Sequence, residues 1–369
     1  MSFYEMSFEL TNKCNLSCLH CLRDKTDTRS YISVELFESI LKQAKAYSMK
    51  HVAFKGGEPT LHPQFSGIID MAVRYDYTYH FITNAWNFTQ VWKMLNDPQH
   101  PGRRTKLAGV SISIDRAEEA SHDYIRGKGS FKRIMQAVSI LRIKGVETSI
   151  QMTINKKNFN EIEQMAFLAS DLGLKRLFYA HLESTPPAYD HGLVLSPEQY
   201  RDAEQRVEKL KSTLKLEINF SLGYYEPLGF LQCRALTMYA PNVDYKGRLT
   251  FCCQLPGYTG SPDESDITAD LNTASLYEAH KLWADAIHKF NVDKIGLIEK
   301  GGLSELDHFP CFYCSKYFNK LEWMEKYRYD PWAADYTKAR DSCAPAKTPR
   351  RAVSESGGLR FIDLSGSEV

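Results

Sequence analysis

Strand-like and helix-like segments alternate regularly through the first half of the chain. Short β-rich runs such as His51–Lys55 and Ala108–Ile114 are separated by amphipathic stretches such as Val34–Tyr47, in which apolar residues recur at helical spacing. Six such strand–helix units follow one another up to about residue 180. Because units of this kind join parallel strands through right-handed crossovers, they predict a parallel sheet, either doubly wound or forming an incomplete barrel.

The second half of the chain has a different pattern. A linker with Pro186 and Pro187 leads to a charged helix that begins at Ser196-Pro197-Glu198, a helix start signal. Short strands, turns and cysteines then alternate and predict a small α+β domain. The predicted parts are residues 1–215 as the α/β core, 216–330 as the cysteine-rich domain and 331–369 as a C-terminal segment. The Ser-, Gly- and Pro-rich tail after about residue 344 lacks periodicity, which predicts disorder.

Composition limits the partners that can be expected. The 369 residues carry a formal net charge of +1, with 43% hydrophobic and 25% charged residues. This balance is ordinary for a globular protein and gives no electrostatic reason to expect nucleic acid or a membrane surface as a partner. The N-terminus lacks a signal-peptide pattern, and no apolar run is long enough to span a bilayer. We therefore expect a cytoplasmic protein.

The first three of the nine cysteines lie close together in the loop after the first predicted strand. Cys14, Cys18 and Cys21 have the spacing C-x3-C-x2-C, which can hold three corners of a [4Fe-4S] cubane and leave the fourth iron without a protein ligand. An open metal position is typical of a reactive site rather than a structural one. Zinc is the alternative, but His20, adjacent to Cys21, is poorly placed as its fourth ligand.

The remaining cysteines follow after a long gap, at Cys233, Cys252, Cys253, Cys311, Cys314 and Cys343. Four of them, Cys233, Cys252, Cys311 and Cys314, can ligate a second cubane fully, although four thiolates suit a structural zinc equally well. The spacing from Gly247 to Cys252 indicates a turn followed by a strand. Because neighbours on a strand point to opposite faces, we expect Cys253 not to share this site.

A second motif, Lys55-Gly56-Gly57-Glu58-Pro59, directly follows the second predicted strand. Alone it would fit a plain Gly-Gly turn. Together with C-x3-C-x2-C on the preceding strand, it resembles the GGEP motif of the radical S-adenosylmethionine (radical SAM) superfamily. The resemblance extends to the ends of the later strands. Its further positions are Thr83-Asn84, Ser111, Ser113, Asp115, the segment His122–Gly127 with Arg126, and Gln151, Thr153 and Asn155 on the fifth strand.

The resemblance implies a partial (βα)6 TIM-like barrel and an enzyme that cleaves S-adenosylmethionine reductively. The resulting 5′-deoxyadenosyl radical would take a hydrogen atom from the substrate. Arg126 would pair with the carboxylate of S-adenosylmethionine, with a surface ion pair as the alternative. Implied cofactor-binding residues are Gly56, Gly57, Glu58, Pro59, Asn84, Ser111, Ser113, Asp115, Arg126 and Thr153. A reducing protein such as flavodoxin or ferredoxin is the implied electron donor.

The later cysteines resemble the auxiliary-cluster extension called SPASM, or its shorter twitch form. The longer form would continue with C-x5-C-x3-C after Cys314, whereas this chain has no further cysteine until Cys343. The resemblance therefore implies one auxiliary [4Fe-4S] cluster. Cys253 is either an ordinary buried thiol or a hydrogen-atom donor to the substrate radical, as in epimerases of the superfamily.

Three functions remain open from the sequence. The first is modification of a ribosomally synthesised peptide by epimerisation, cross-linking or oxidation, which the twitch-like extension favours. The second is oxidation or epimerisation of a small polar natural-product intermediate. This alternative is favoured because the first strand begins near residue 4 and leaves no room ahead of it for a leader-binding domain. The third is a silent cluster-binding protein, which the intact motifs disfavour.

Overall fold

The computed structural model describes residues 4–24, 31–230 and 233–342 of the chain. Cys343 and the tail for which disorder is predicted lie outside the described residues. One sheet collects the strands of the described part. They are β1 Glu5–Thr11, β2 His51–Gly56, β3 Thr78–Thr83, β4 Leu107–Ser113, β5 Thr148–Thr153, β6 Arg176–Ala180, β7 Glu217–Phe220, β8 Asn242–Val243, β9 Arg248–Thr250 and β10 Ile267–Asp270.

The order of the strands in the sheet is β10-β9-β8-β1-β2-β3-β4-β5-β6-β7. Neighbours from β1 to β7 are all parallel, and β8 adds to β1 in parallel. β9 is antiparallel to both β8 and β10. The predicted α/β class with a parallel core is therefore confirmed, and all carboxyl ends of β1–β7 meet at one edge of the sheet.

Helices follow the parallel strands as crossovers, and three more lie near the end of the described chain. They are α1 Val34–Ala44, α2 Phe65–Arg74, α3 Phe88–Leu95, α4 Pro101–Thr105, α5 Glu119–Arg126, α6 Ser130–Ile143, α7 Ile162–Asp171, α8 Pro186–Asp190, α9 Pro197–Thr213, α10 Leu276–Glu299, α11 Pro310–Tyr317 and α12 Pro331–Ser342. In this part of the chain, no helix combines the length and apolar character that crossing a bilayer requires.

The two faces of the sheet differ in chemistry because side chains alternate along a strand. On β1, Met6 and Phe8 are fully buried in the hydrophobic core that includes buried residues of α1 and α2. Burying each such side chain stabilises the fold by roughly 1.5–3 kcal/mol. Glu5, Ser7 and Glu9 alternate with these residues along β1 and point to the opposite face of the sheet, which we call the polar face. This face carries the groups that can meet a polar cofactor or substrate.

Three regions differ from the sequence-based expectation. The predicted linker contains the short helix α8, and residues expected to form short strands and turns form the 24-residue helix α10. A capping box between Ser275 and Glu278 starts α10, and Trp283 and Phe290 lie on its buried side. In addition, β7–β10 belong to the same sheet as the core, so the sheet crosses the proposed boundary at residue 215. The division into domains stays a prediction.

Candidate active site

The first cysteine group lies in the loop that follows β1, at the carboxyl edge of the sheet. All three thiols are half-buried. The loop is anchored by the amide of Leu19, which donates to the carbonyl of Ile125 in α5 at 3.0 Å. Burial raises the pKa of Cys18 to about 11. A bound cation is therefore needed to make thiolate the stable form at neutral pH.

The GGEP segment packs directly against this cysteine loop. The amide of Gly57 donates to the carbonyl of Thr11 at 2.7 Å, and that of Glu58 to the carbonyl of Lys13 at 2.8 Å. A Cβ on Gly56 would lie 2.3 Å from the Thr11 oxygen, and one on Gly57 would lie 2.2 Å from the Lys13 oxygen. Only glycine allows this approach, so the glycines fix the cysteine loop on the end of β2.

Glu58 connects the ends of β2 and β3. Its buried carboxylate accepts from the hydroxyls of Thr60 and Thr83 at 2.6 and 2.7 Å and from the amide of Asn84 at 2.8 Å. Burial raises the pKa of Glu58. Asn84 in turn places its Nδ2 3.6 Å from Cys14 Sγ. The motif therefore orients Asn84 toward the first cysteine group, and Pro59 begins the short turn beside it.

Asp115 and Arg126 form a buried ion pair beside the same loop. Asp115 Oδ2 accepts from Arg126 Nε at 2.5 Å and lies 2.6 Å from His20 Nε2, while Oδ1 accepts from the amide of Thr153 at 3.0 Å. Although burial opposes ionisation, Arg126 and His20 hold the pKa of Asp115 well below its usual range. Arg126 Nη1 lies 4.0 Å from Cys18 Sγ.

The alternative of a surface ion pair for Arg126 is wrong, because both partners are buried. The two serines of β4 have separate neighbours. Ser111 Oγ is 2.7 Å from Ser149 Oγ on β5, and Ser113 pairs in register with Gln151. The structure thus brings the predicted cofactor-binding residues of β2, β3, β4 and β5 to the edge that holds the cysteine loop, except Ser111, which lies further down β4.

The later cysteines also come together. Cys311 and Cys314 lie on the first turns of α11, three residues apart and therefore on one side of the helix. The pKa of Cys252 is raised by a hydrogen bond with Cys253, by burial and by the nearby thiols of Cys233 and Cys311. Burial and the thiol of Cys233 raise the pKa of Cys314. The four predicted auxiliary ligands therefore lie near one another, and their binding of one cluster stays a prediction.

The sequence-based reason for separating Cys253 from Cys252 is wrong. It assumed a strand, but β9 ends at Thr250 and both cysteines lie in the turn that follows. The two thiols share a hydrogen bond, and Cys253 also contacts Lys55 of β2. Alternation along a strand does not apply, so Cys253 lies beside the auxiliary thiols and near the polar face at once.

Arg23 ties the two cysteine groups to each other. Its guanidinium pairs with buried Glu9 at 2.5 Å and donates to the carbonyl of Cys253 at 2.6 Å and to that of Pro256. The backbone continues the contact, because the amide of Thr259 donates to the carbonyl of Leu22 at 2.8 Å. The segments that follow the two groups are thereby held side by side.

Sequence reasoning missed two clusters of possible ligands. His181 and Glu183, just after β6, lie with Cys311 so that one ligand atom from each is within 4.8 Å of the others. The His-x-Glu pair at a predicted strand end was a usable signal. The other cluster, Glu5 with His51 and His80, comes from three separate strands. Only the register of the sheet brings these residues together, so no local pattern could have indicated it.

Comparison with known proteins agrees with this geometry. Residues 8–169 match the Radical SAM superfamily. Mycofactocin maturase MftC of Mycolicibacterium smegmatis is 30% identical over 176 residues, covering 46% of this chain and 42% of that protein. The PqqA peptide cyclase of Gluconobacter oxydans is 27% identical over 179 residues, covering 47% of this chain and 48% of that protein. The chain thus spans less than half the length of these curated relatives.

Solved structures agree at the level of the fold. Streptococcus suis SuiB bound to its precursor peptide SuiA has a TM-score of 0.57 at 16% identity, covering 77% of this chain and 65% of that one. The enzyme anSMEcpe with bound AdoMet has a TM-score of 0.59 at 16% identity, covering 77% and 82%. The sequence-based resemblance is confirmed over residues 8–169, which match the Radical SAM superfamily.

Proposed function

We propose that this protein is a radical SAM enzyme that modifies a ribosomally synthesised peptide. The observation that carries the proposal is the assembly at the carboxyl edge of the sheet. There the loop of Cys14, Cys18 and Cys21 rests on the GGEP segment and faces the buried pair of Asp115 and Arg126. Ligands in open α/β sheets bind at this edge.

The first cysteine group fits an iron–sulfur cubane better than zinc. Among residues 4–24, 31–230 and 233–342, two groups of three possible ligand atoms lie within 4.8 Å of one another. They are Glu5 with His51 and His80, and His181 with Glu183 and Cys311, and neither contains two cysteines. A tetrahedral zinc with bonds of 2.3 Å would bring its sulfurs to about 3.8 Å from one another. Cys14, Cys18 and Cys21 are not among these close groups, and their C-x3-C-x2-C spacing supports one [4Fe-4S] cluster on the three thiols.

When bound, that cluster supplies the electron that cleaves S-adenosylmethionine to methionine and a 5′-deoxyadenosyl radical. The chain's own residues orient the cofactor. Arg126 places a cation beside Cys18, suited to the carboxylate of S-adenosylmethionine, and Asp115 holds the guanidinium in position. We assign the remaining contacts to Gly56, Gly57, Glu58, Pro59, Asn84, Ser111, Ser113 and Thr153.

Cys233, Cys252, Cys311 and Cys314 would hold one auxiliary [4Fe-4S] cluster. Cys253 contacts Lys55 and lies next to this site. In an epimerisation, Cys253 would give its thiol hydrogen to the substrate radical, which forms the product C–H bond and leaves a thiyl radical. An electron from a reducing protein such as flavodoxin or ferredoxin, with a proton, would restore the thiol.

The relatives favour the peptide over a small natural-product intermediate as the substrate. Their names include a peptide cyclase and maturases, and SuiB has been solved with a precursor peptide. The test uses reduced, reconstituted protein with S-adenosylmethionine and the peptides encoded by short reading frames beside its gene, in D2O. We expect high-resolution mass spectrometry to show uptake of a solvent deuterium or loss of two hydrogens.

Two variants test whether the thiol of Cys253 supplies the hydrogen atom. Cys253→Ala should abolish deuterium uptake while S-adenosylmethionine cleavage continues, whereas replacing exposed Ser212 with Ala should change neither reaction. Cleavage of S-adenosylmethionine with every peptide unchanged would contradict the peptide assignment. Unchanged product from Cys253→Ala would remove the role of that thiol.

A further inference from the structure

A second polar cluster lies at the end of the sheet opposite the cysteine loop. Glu5 begins β1, His51 begins β2, and His80 is the third residue of β3. In register, Glu5 pairs with His51 and His51 pairs with Thr78, two residues before His80. Residues two apart on a strand share a face. All three side chains therefore lie together on the polar face, near the amino ends of their strands.

The ligand atoms of this cluster converge. One atom from each side chain lies within 4.8 Å of the other two. His51 Nε2 and His80 Nδ1 are 2.6 Å apart, and the two rings stack with an interplanar angle of 12°. Glu5 Oε2 is 3.9 Å from the same Nε2. The side chains of Glu5 and His51 are 13% and 10% exposed, so the cluster is largely shielded from solvent without being closed to it.

Surrounding hydrogen bonds direct the lone pairs inward. Thr78 Oγ1 donates to the carbonyl of Lys50 at 3.1 Å, so it accepts from His51 Nδ1 at 2.8 Å. A neutral imidazole has one N–H, which leaves the lone pair of His51 on Nε2. Arg234 lies 3.5 Å from Glu5 Oε1, so Oε2 is the oxygen that faces the histidines. Bonds of this outer kind orient histidine and carboxylate ligands in metal sites.

We propose that Glu5, His51 and His80 form a binding site for a divalent first-row metal ion, with Zn²⁺ the expected ion. Two imidazole nitrogens and one carboxylate oxygen are a donor set typical of zinc sites that keep an open position. The site lies at the other end of the strands from the loop of Cys14, Cys18 and Cys21, and Arg234, next to Cys233, contacts Glu5 from the auxiliary side. It does not depend on the proposed enzymatic function.

Metal binding requires the facing nitrogens of His51 and His80 to move apart. The hydrogen bond between the two histidines would be replaced by two metal–nitrogen bonds of 2.0–2.1 Å, which separates the nitrogens to about 3.3 Å at a tetrahedral angle. The proton on His80 Nδ1 would move to Nε2 of the same ring, and metal uptake should weaken once falling pH protonates the imidazoles that supply the lone pairs. The ion would join β1, β2 and β3 and stabilise the folded state by mass action.

Cobalt(II) distinguishes this site from the cysteines. The reconstituted protein, with its iron–sulfur sites filled, is titrated with Co²⁺ and followed by visible absorption. We expect one equivalent to bind with d–d bands and without the sulfur-to-cobalt charge-transfer band that thiolate ligation produces. After desalting, the same protein loaded with Zn²⁺ should retain one zinc per chain.

Variants make the assignment falsifiable. His80→Asn and Glu5→Gln should each weaken cobalt affinity at least tenfold, whereas replacing exposed His191 with Asn should not. Because Glu5→Gln keeps the shape of the side chain, it remains informative if His80→Asn fails to fold. Absence of bound cobalt in the wild type, a charge-transfer band, or equal affinity in Glu5→Gln and wild type would overturn the proposal.

Discussion

The buried carboxylate of Asp115 connects three parts of the site. It holds Arg126 from α5, His20 from the cysteine loop and the backbone of Thr153 on β5. Each bond to an ionised acceptor is stronger than a neutral one. The geometry around the first cysteine group therefore depends on one negative charge that is shielded from water.

Asp115→Asn should destabilise the fold strongly, because it leaves the guanidinium of Arg126 buried without a counter-charge. Breaking a buried pair in this way costs about 3–5 kcal/mol. Urea unfolding of the metal-free protein at pH 7 measures the effect, with exposed Asp171→Asn as the control of equal charge change. Equal unfolding midpoints for the two variants would contradict the role given to Asp115.

His122 gives the site a dependence on pH. Its Nδ1 accepts from the amide of Asp115 at 3.2 Å, and burial together with Arg126 lowers its pKa to about 4. The unfolded chain binds this proton near pH 6.5 and the folded chain only near pH 4. The contribution of neutral His122 to stability is thus complete above about pH 6.5 and is lost as the pH falls toward 4.

His122→Gln should therefore flatten the acid side of the stability profile. The wild type should lose up to about 1.4 kcal/mol per pH unit more than the variant between pH 6 and pH 4.5. Urea unfolding of the metal-free proteins at a series of pH values provides the comparison. Parallel profiles for wild type and variant would show that His122 titrates normally in the folded state.

Among the elements, the junction of β2 with the cysteine loop is held by backbone contact rather than by side chains. The amides of Gly57 and Glu58 bond directly to carbonyls of the loop. The sequence indicated that both motifs belong together. It could not indicate that the glycines face the loop, because that contact depends on the register of β1 and β2.

Gly57→Ala should separate this junction, since the new Cβ would meet the Lys13 carbonyl at 2.2 Å. We expect a loss of iron from the first cysteine group and of S-adenosylmethionine binding, measured by iron content and by equilibrium dialysis. Gly296→Ala in α10 is the matched control, because nothing lies within 4 Å of its Cβ. It should leave iron unchanged and stabilise the helix by up to about 1 kcal/mol. Iron content equal to wild type in Gly57→Ala would contradict this account.

In the whole molecule, the sequence was most informative where periodicity is local. Consecutive strand–helix units predicted the parallel sheet up to β6, and motif spacing located the first cysteine group and Arg126. Long-range pairing was not visible. The strands β8–β10 extend the sheet beside β1, and Arg23 donates to the carbonyl of Cys253. Both contacts join residues that are more than 200 positions apart in the chain. The helix α10 was not predicted either, although its buried residues, among them Ala279, Trp283 and Ile287, recur at helical spacing.

Everything proposed for this molecule depends on whether the loop of Cys14, Cys18 and Cys21 starts radical chemistry with S-adenosylmethionine. The most direct measurement is the yield of 5′-deoxyadenosine from reduced, reconstituted protein, determined by mass spectrometry beside a variant with all three cysteines changed to Ala. We expect 5′-deoxyadenosine from the wild type and none from the variant, while the later cysteines still retain iron. No 5′-deoxyadenosine from fully loaded wild type, or equal amounts from both proteins, would contradict this role of the loop.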